Sequence, residues 1–454
     1  MGSAPSEGSR QSAVFRRSFS KTFPAAIRGE GALLWDAEGK QYLDFSGSAA
    51  VNFIGHGVRE ISDAMVEQAR ALEFAHTSQF TTPIAEEYAR ELLEFAGENF
   101  RAGAVYFTSG GSEAIESALK LARQYQVEIG QKERFEVLSR RQSYHGSTLG
   151  ALAVSGNARR REIYLPMVRE FEHVGTPYCY RCQYECKSCA RAYADEVEHA
   201  LATNAHAAAF IVEPVSGATL GAAVPPDGYL QRVAETCFRR GVLLIADEVM
   251  TGMGRTGRNF AVQHWGVAPD ILVTAKGLSS GYAPLGAVIA SRKVVDAIAN
   301  GSGSFTHGFT YNAHPVALAV GRAVLRRIQS SRLVDAASSS SRKSIGSTVK
   351  TALQELSSCR AVGDVRGIGL LWGVEFVADR SSKQPFAAEV NFAGRVGQAA
   401  ANRGLLVYPM QGCVDGYSGD HLLIAPPAVI TEEQIAWAGG ELKAAIDEVT
   451  AEVV

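Results

Sequence analysis

A chain of 454 residues, of which 46% are hydrophobic and 20% are charged, has enough apolar side chains for a large globular core and exceeds the usual length of one domain. Its formal net charge of −2, without long runs of one sign, excludes the strongly basic surface typical of proteins that bind nucleic acid or anionic membranes. No apolar run approaches bilayer length, and the first twenty residues lack the apolar segment of a secretory signal, so we predict a cytoplasmic protein with small-molecule partners.

The opening residues are predicted to form a mobile N-terminal arm. From about residue 100 to 290, short apolar runs alternate with amphipathic helical patterns, which is typical of an α/β fold with a mostly parallel sheet. Leu230, Val233 and Cys237 lie at helical spacing between two such runs, so Cys237 is predicted to be in the core. The predicted strands are residues 104–108, 135–139, 207–214, 242–249, 270–276 and 287–291.

The last third of the chain has a different pattern. The serine-rich run from Ser338 continues into apolar residues spaced three to four apart, and we interpret both together as one helix with a serine-rich exposed face. Residues 362–377 alternate as a strand does, and Thr431 with Gln434 predicts the capped start of a terminal helix. The predicted division is 1–50 for the arm and part of a small domain, 51–315 for a large cofactor-binding domain, and 316–454 for a small α+β domain.

Several predicted strands end in chemically active side chains. In open parallel sheets, ligands bind beyond the carboxyl ends of the strands. Asp247 ends one apolar run and, because a buried unpaired charge is costly, it requires a cationic partner. Lys276 ends another run, where burial favours a lowered pKa, so we predict a nucleophilic amine.

Two further strand ends suggest what the amine binds. Ser109-Gly110-Gly111-Ser112 leads directly into an amphipathic helix, an arrangement that cradles phosphate with backbone N–H groups and the helix dipole. Tyr144 follows another strand and can stack on a ring. Each feature alone is more often a helix cap or a surface charge. Their joint occurrence, in this order, predicts a phosphorylated aromatic aldehyde bound through Lys276.

The same order of motifs resembles the class III aminotransferases, pyridoxal-phosphate enzymes of fold type I that include the ω-amino acid:pyruvate transaminases. The resemblance covers nearly the whole chain and includes FTSGGSEAIESALKLAR, LLIADEVMTGMGRTG and PDILVTAKGLSSGYAPLGAVI. It implies an α/β fold with a large domain built on a mostly parallel seven-stranded sheet and a smaller α+β domain. It assigns cofactor binding to Gly110, Gly111, Ser112, Tyr144, His145, Glu213, Asp247, Val249, Lys276 and Thr310.

The resemblance also implies roles. Lys276 would bind pyridoxal 5′-phosphate covalently and carry the transferred proton, and Asp247 would hold the pyridine nitrogen protonated. Thr310 would reach the phosphate bound by the other subunit, which implies a homodimer with shared active sites. The implied reaction is ping-pong transfer from an amine or ω-amino acid donor to a keto acid, with pyruvate the leading acceptor. Class III aminomutases, decarboxylases and phospho-lyases use the same residues, so they stay alternatives.

The sequence departs from the family at two places. Many relatives carry an arginine for the acceptor carboxylate near the C-terminal APP, but residues 409–427 contain none, and Ser418 and Gly419 occupy the expected position. The carboxylate would then be held by backbone N–H groups, by an arginine elsewhere, or not specifically. Ala49 and Ala50 stand roughly where amine:pyruvate relatives have a bulky aromatic residue, which predicts a roomier pocket.

A glycine motif and a cysteine-rich segment also require interpretation. Gly252, Gly254 and Gly257 form a formal GxGxxG, but no helix pattern begins at Gly257 and Asp270 follows too soon for a dinucleotide-binding fold. Four cysteines form two CxxC pairs three residues apart, closer than the usual zinc ribbon, which leaves a structural metal site, a reversible disulfide and a reduced loop open. No metal is predicted in the reaction. These cysteines are Cys179, Cys182, Cys186 and Cys189.

Overall fold

A computed structural model of the chain describes residues 13–185, 187–341 and 343–453, so part of the predicted N-terminal arm and Cys186 lie outside the described residues. No helix in these ranges is both long and apolar enough to cross a membrane. The strands are β1 Ala26–Glu30, β2 Leu33–Asp36, β3 Gln41–Asp44, β4 Ala104–Thr108, β5 Glu136–Arg140, β6 His173–Val174, β7 Ala207–Val212, β8 Leu243–Asp247, β9 Ile271–Thr274, β10 Gly286–Ala290, β11 Val362–Ile368, β12 Leu371–Phe376, β13 Leu405–Leu406, β14 Tyr408–Gln411 and β15 Asp420–Ile424.

The α-helices lie between and around these strands. They are α1 Arg59–Ala71, α2 Pro83–Ala96, α3 Gly111–Glu128, α4 Leu149–Val154, α5 Ala158–Arg161, α6 Cys189–Thr203, α7 Tyr229–Arg240, α8 Arg292–Asn300, α9 Pro315–Ser330, α10 Leu333–Ala337, α11 Ile345–Glu355, α12 Phe392–Asn402 and α13 Glu432–Val453.

The central sheet has seven strands in the order β4-β10-β9-β8-β7-β5-β6. β10 runs antiparallel to both of its neighbours, and the other adjacent pairs are parallel. Every residue of β7, β8 and β9 is buried, which explains their continuous apolar sequences, because such strands are covered on both faces. The prediction of a mostly parallel seven-stranded sheet is confirmed.

Alternate residues of each central strand enter two separate hydrophobic clusters. Ile211 and Ile245 pack with α3 on one face, whereas Phe210 and Leu244 belong to the cluster that contains α6 and α7 on the other. Cys237 of α7 is buried in that second cluster, as predicted. The sheet is therefore a rigid layer between helices, and its edge at the carboxyl ends of the parallel strands is held in place.

Two four-stranded sheets complete the fold, in the orders β1-β2-β3-β13 and β11-β12-β15-β14. β13 lies parallel to β3 and so connects the N-terminal strands to the C-terminal part of the chain. The domain boundaries at residues 50 and 315 stay a prediction. Residues 362–377, expected as one strand, form a β11–β12 hairpin instead, because Gly369 has φ +61° and turns the chain against the backbone of Thr256.

The serine-rich run is not helical, contrary to expectation. α11 begins only at Ile345, and the serine residues from Ser338 to Ser341 lie in the connection after α10. Ser344 is the N-cap, and its Oγ accepts the Ser347 N–H at 3.3 Å. Serine hydroxyls bond to nearby backbone groups in non-helical conformations, which explains why the run precedes the helix rather than extending it.

The predicted start of the terminal helix is confirmed. The Thr431 N–H donates to Gln434 Oε1 at 3.0 Å, and the Gln434 N–H donates to Thr431 Oγ1 at 3.2 Å. These reciprocal bonds form a capping box, which satisfies two N–H groups that the helix itself cannot pair. α13 then continues for 22 residues.

Candidate active site

A cavity of about 510 Å³ lies at the carboxyl-end edge of the central sheet. Nine of the ten predicted cofactor-binding residues line it, whereas Thr310 does not and is exposed on the surface. The sheet explains this convergence, because parallel neighbours place their carboxyl ends at one edge. The nine residues are Gly110, Gly111, Ser112, Tyr144, His145, Glu213, Asp247, Val249 and Lys276.

Lys276 follows β9 and begins a short 3₁₀ turn, Lys276–Leu278. Its backbone has φ +45°, in the left-handed region that non-glycine residues rarely adopt. Removal from water lowers the pKa of its amine to about 8, although the nearby carboxylates of Asp247 and Glu213 act in the opposite direction. A large fraction of the Lys276 amine is therefore neutral, and nucleophilic, near pH 8.

Asp247 ends β8 and is held at both carboxylate oxygens. Oδ2 lies 2.7 Å from His145 Nδ1, and Oδ1 accepts the Val249 N–H at 3.0 Å. The imidazole of His145 is completely buried, and this histidine, rather than a lysine or arginine, is the side chain that bonds to Asp247. The pair leaves little freedom of rotation and presents a fixed negative group to the cavity.

Glu248, next to Asp247, faces the opposite direction. It is completely buried, accepts the Val262 N–H at 2.8 Å, and is bonded by the Thr251 hydroxyl. Burial raises the pKa of Glu248 to about 7. Adjacent residues of a strand point to opposite faces, so only the first carboxylate of the Asp-Glu pair reaches the cavity.

Glu213 extends from the end of β7 and orients the segment that carries Tyr144. Its carboxylate accepts the Tyr144 N–H at 3.3 Å and the Gly217 N–H at 3.0 Å, and burial raises its pKa. Arg140, completely buried at the end of β5, donates to the Glu213 carbonyl at 2.6 Å. No sequence motif distinguishes Arg140 from the other arginines of the chain, which is why its role is visible only in the structure.

The N-terminus of α3 forms one wall of the cavity. The first N–H groups of a helix have no acceptor within it. Gly110, the N-cap, has no side chain that could accept those of Gly111 and Ser112. The Ser112 hydroxyl accepts the Ser147 N–H at 3.0 Å. A Cβ at Gly111 would lie 3.1 Å from Val249, so glycine allows Val249 to approach the helix start. This wall fits a phosphate group.

One predicted pocket feature is corrected. Ala49 and Ala50 do not line the cavity, and Val51 does so in their place. Gly47–Ala50 forms a left-handed turn with φ values of 50° to 66°, which Asp44 secures by accepting the Ser48 N–H at 2.9 Å. No sequence pattern indicates three consecutive non-glycine residues in this conformation. The cavity is also lined by residues that no sequence motif marks, among them Val51, Val215, Ala218, Met250 and Tyr282.

The cysteine segment lies away from the cavity, and none of the described cysteines lines it. Arg181 donates to the buried Glu375 of β12 at 2.6 Å, and Tyr178 bonds to the same carboxylate, so the segment docks on the β11–β12 hairpin. Among the described residues, which do not include Cys186, no three His, Cys, Asp or Glu residues are grouped for a metal ion. The three interpretations of the four cysteines stay predictions.

The environment of Lys276 leads to a pH-dependent prediction. Reductive methylation with formaldehyde and borohydride requires a neutral amine, and the neutral fraction rises with pH through the pKa. We expect the cofactor-free chain to be modified at Lys276 with a half-maximal rate near pH 8, measured by peptide mass spectrometry. Lys443 is the control: its hydrogen bond to Asp447 raises its pKa, so its modification should need a higher pH than that of Lys276. Equal profiles for both lysines would contradict the expected effect of burial.

Comparison with known proteins identifies the family of the chain. The family model "Aminotransferase class-III" matches residues 15–446. The chain is 39% identical over 428 residues to the uncharacterized aminotransferase YodT of Bacillus subtilis, covering 93% of this chain and 94% of that protein. An (S)-enantioselective omega-transaminase from Thermomicrobium roseum superposes with a TM-score of 0.86 at 37% identity, covering 94% and 93% of the two chains. The omega transaminase of Pseudomonas jessenii in complex with PMP gives 0.90 at 30% identity, covering 100% and 99%.

The fold and the site thus define a fold type I enzyme of the transaminase kind, with a lysine and an aspartate at neighbouring strand ends. Among such enzymes, the chain belongs to the class III aminotransferase family. The family and fold-class predictions are confirmed, and so is the prediction of a transaminase.

Proposed function

We propose that this chain uses pyridoxal 5′-phosphate to transfer an amino group from an amine or ω-amino acid to a keto acid, with pyruvate the leading acceptor. One observation carries the proposal: the Lys276 amine and the Asp247–His145 pair share a cavity with the uncapped N-terminus of α3. An amine, a fixed carboxylate and a phosphate cradle are the groups that an aromatic aldehyde phosphate requires. The neighbour solved in complex with PMP, the amine form of that cofactor, supports this choice.

The chain's residues fit the cofactor. Gly111, Ser112 and the helix dipole would hold its phosphate, Tyr144 and Val249 would enclose its ring, and Asp247 would face the ring nitrogen. When bound, pyridoxal 5′-phosphate supplies a ring that accepts the electron pair released from the substrate carbon. The Lys276 amine would bind the aldehyde, and, once displaced by substrate, it would remove a proton from the substrate carbon and return it to the cofactor carbon.

The surroundings of Lys276 suit this proton transfer. A general base works best when its pKa lies near the operating pH, and the pKa of about 8 satisfies that condition. His145 fixes the Asp247 carboxylate, so its charge needs no reorganisation during the reaction. Each turnover would consist of two half-reactions in one cavity, with the donor product leaving before the acceptor enters.

We also propose that the enzyme is a homodimer and that Thr310 acts in the partner's site. Two observations support this proposal. Thr310 is exposed and lies outside the cavity of its own chain. Several large apolar side chains are exposed on the single chain, namely Tyr311 at 59%, Phe80 at 64%, Met167 at 64% and Ile163 at 76%, and an interface between subunits would cover such groups.

The proposed function is tested with a screen of amine donors against keto acids. We expect holoenzyme incubated with an ω-amino acid or a primary amine and pyruvate to form alanine and the donor's carbonyl product in equal amounts, measured by mass spectrometry. Lys276→Ala protein is the matched control for alanine formed without the enzyme. Release of ammonia or carbon dioxide in place of alanine would instead assign the chain to the lyase or decarboxylase members of the family.

A further inference from the structure

We propose that Arg160 binds the carboxylate of the keto acid acceptor, in place of the arginine that residues 409–427 lack. This inference rests on the proposed function, because it assigns a substrate group to the same cavity. The guanidinium carbon of Arg160 lies 4.4 Å from the centre of the Tyr144 ring, and Tyr144 lines the cavity. Arg160 belongs to the four-residue helix α5, whose N-cap Asn157 accepts the Arg160 N–H at 3.2 Å.

The location of the C-terminal loop supports the inference that Arg160 takes over the role of the arginine expected in that loop. In this loop, residues 412–419, a Cβ on Gly416 would lie 3.2 Å from the Cβ of Ala158, the first residue of α5. Gln142, two residues before Tyr144, donates to the Gly412 carbonyl at 3.2 Å. The loop where the family arginine was expected therefore packs directly against the helix that carries Arg160.

The other arginines near the cavity already have partners or point elsewhere. Arg140 bonds to the Glu213 carbonyl, and Arg255 bonds to the Asn52 carbonyl at 2.8 Å and to two carbonyls before the C-terminal helix. Arg366 pairs with Asp364 and Glu375. Arg161 faces β6. There, burial of His173 and the positive charge of Arg161 lower the pKa of His173 to about 4.

Arg160 differs from Arg140, Arg255 and Arg366 in that its guanidinium donates no hydrogen bond to a described residue. It differs from Arg161 in that it lies over Tyr144, which lines the cavity. Its side chain is half-buried rather than fully solvated. Burial is the main cause of the lowered Lys276 pKa, and the charge of Arg160 contributes to it, which places Arg160 within electrostatic reach of the reacting amine. A guanidinium with unused donors beside the cavity matches the two oxygens of a carboxylate.

The test compares two acceptors that differ by a carboxylate, pyruvate and acetaldehyde, with the holoenzyme and a fixed donor. For Arg160→Gln we expect the KM for pyruvate to rise about 10- to 100-fold, the range typical of losing a charge-assisted hydrogen bond. The kcat with pyruvate and the KM for acetaldehyde should stay within about twofold, because neither depends on carboxylate binding. Arg160→Lys should fall between the wild type and Arg160→Gln, because lysine keeps the charge but loses the planar fork.

A binding measurement provides a readout that needs no turnover. Calorimetric titration of the holoenzyme with propionate should show the same loss of affinity in Arg160→Gln, and none in Arg159→Gln, which changes the exposed neighbour on α5. Unchanged pyruvate KM and propionate affinity in Arg160→Gln would overturn the proposal. An equal rise of the acetaldehyde KM would also overturn it, because Arg160 would then act by holding Tyr144. If the wild type makes no alanine at all, the proposed function fails, and the propionate titration still tests Arg160.

Discussion

Replacing Lys276 with alanine is expected to lower kcat/KM for transamination by at least about 10⁴-fold, because the proposed function requires this one amine for both the covalent link to the cofactor and the proton transfer. The structure gives no substitute, since no other lysine lines the cavity among the described residues. Steady-state kinetics with saturating cofactor measure the loss. Borohydride reduction followed by peptide mass spectrometry should place the cofactor on Lys276 in the wild type.

Lys293→Ala is the control for the Lys276 variant. Lys293 is bonded to Asp270 at 3.0 Å outside the cavity, so its loss should leave kcat/KM within about twofold, as usual for a surface ion pair. If Lys276→Ala keeps more than a tenth of wild-type activity, or if borohydride attaches the cofactor to another lysine, the assignment of Lys276 is wrong.

Replacing Asp247 with asparagine is expected to lower kcat by about 10³-fold or more, because the fixed negative group that would hold the ring nitrogen protonated is lost. The substitution conserves shape, so the fold and the hydrogen bond from the Val249 N–H can be kept. The kcat for alanine formation measures the effect. An independent readout is the cofactor's absorption spectrum, which should change in the variant because the protonation of the ring changes.

Glu248→Gln is the matched control, because it alters the neighbouring carboxylate, which faces the other side of β8. Gln can still accept the Val262 N–H, so we expect kcat to change by less than about tenfold, with some loss of stability from the altered bond to Thr251. Equal losses of kcat in Asp247→Asn and Glu248→Gln would mean that damage to the strand, rather than loss of the cavity carboxylate, explains the first result.

Much of the site could be predicted because strand ends are visible in the sequence. Asp247 and Lys276 follow unbroken apolar runs, and such runs mark strands buried on both faces, whose carboxyl ends form ligand sites. Glycines before an amphipathic helix similarly predicted the wall at Gly111. These features depend on local sequence and on one general rule of sheet topology.

Other features depend on contacts between distant segments, which local patterns do not contain. Val51 reaches the cavity through a left-handed turn that Asp44 stabilises, and nothing in GSAA predicts that turn. Gly369 divides an alternating segment into a hairpin because the backbone of Thr256 lies close to it. No sequence pattern relates Arg160 to the cavity, because its position depends on α5 lying beside Tyr144 and the loop at Gly416.

Under the role proposed for Lys276, its left-handed backbone makes one position costly for folding and necessary for catalysis. A φ of +45° is disfavoured for lysine by about 1 kcal/mol or more, whereas glycine and asparagine adopt it readily. Burial of the amine adds a further unfavourable contribution. Folding alone would therefore favour glycine or asparagine at this position, and under the proposed function the need for an amine is what keeps a lysine there.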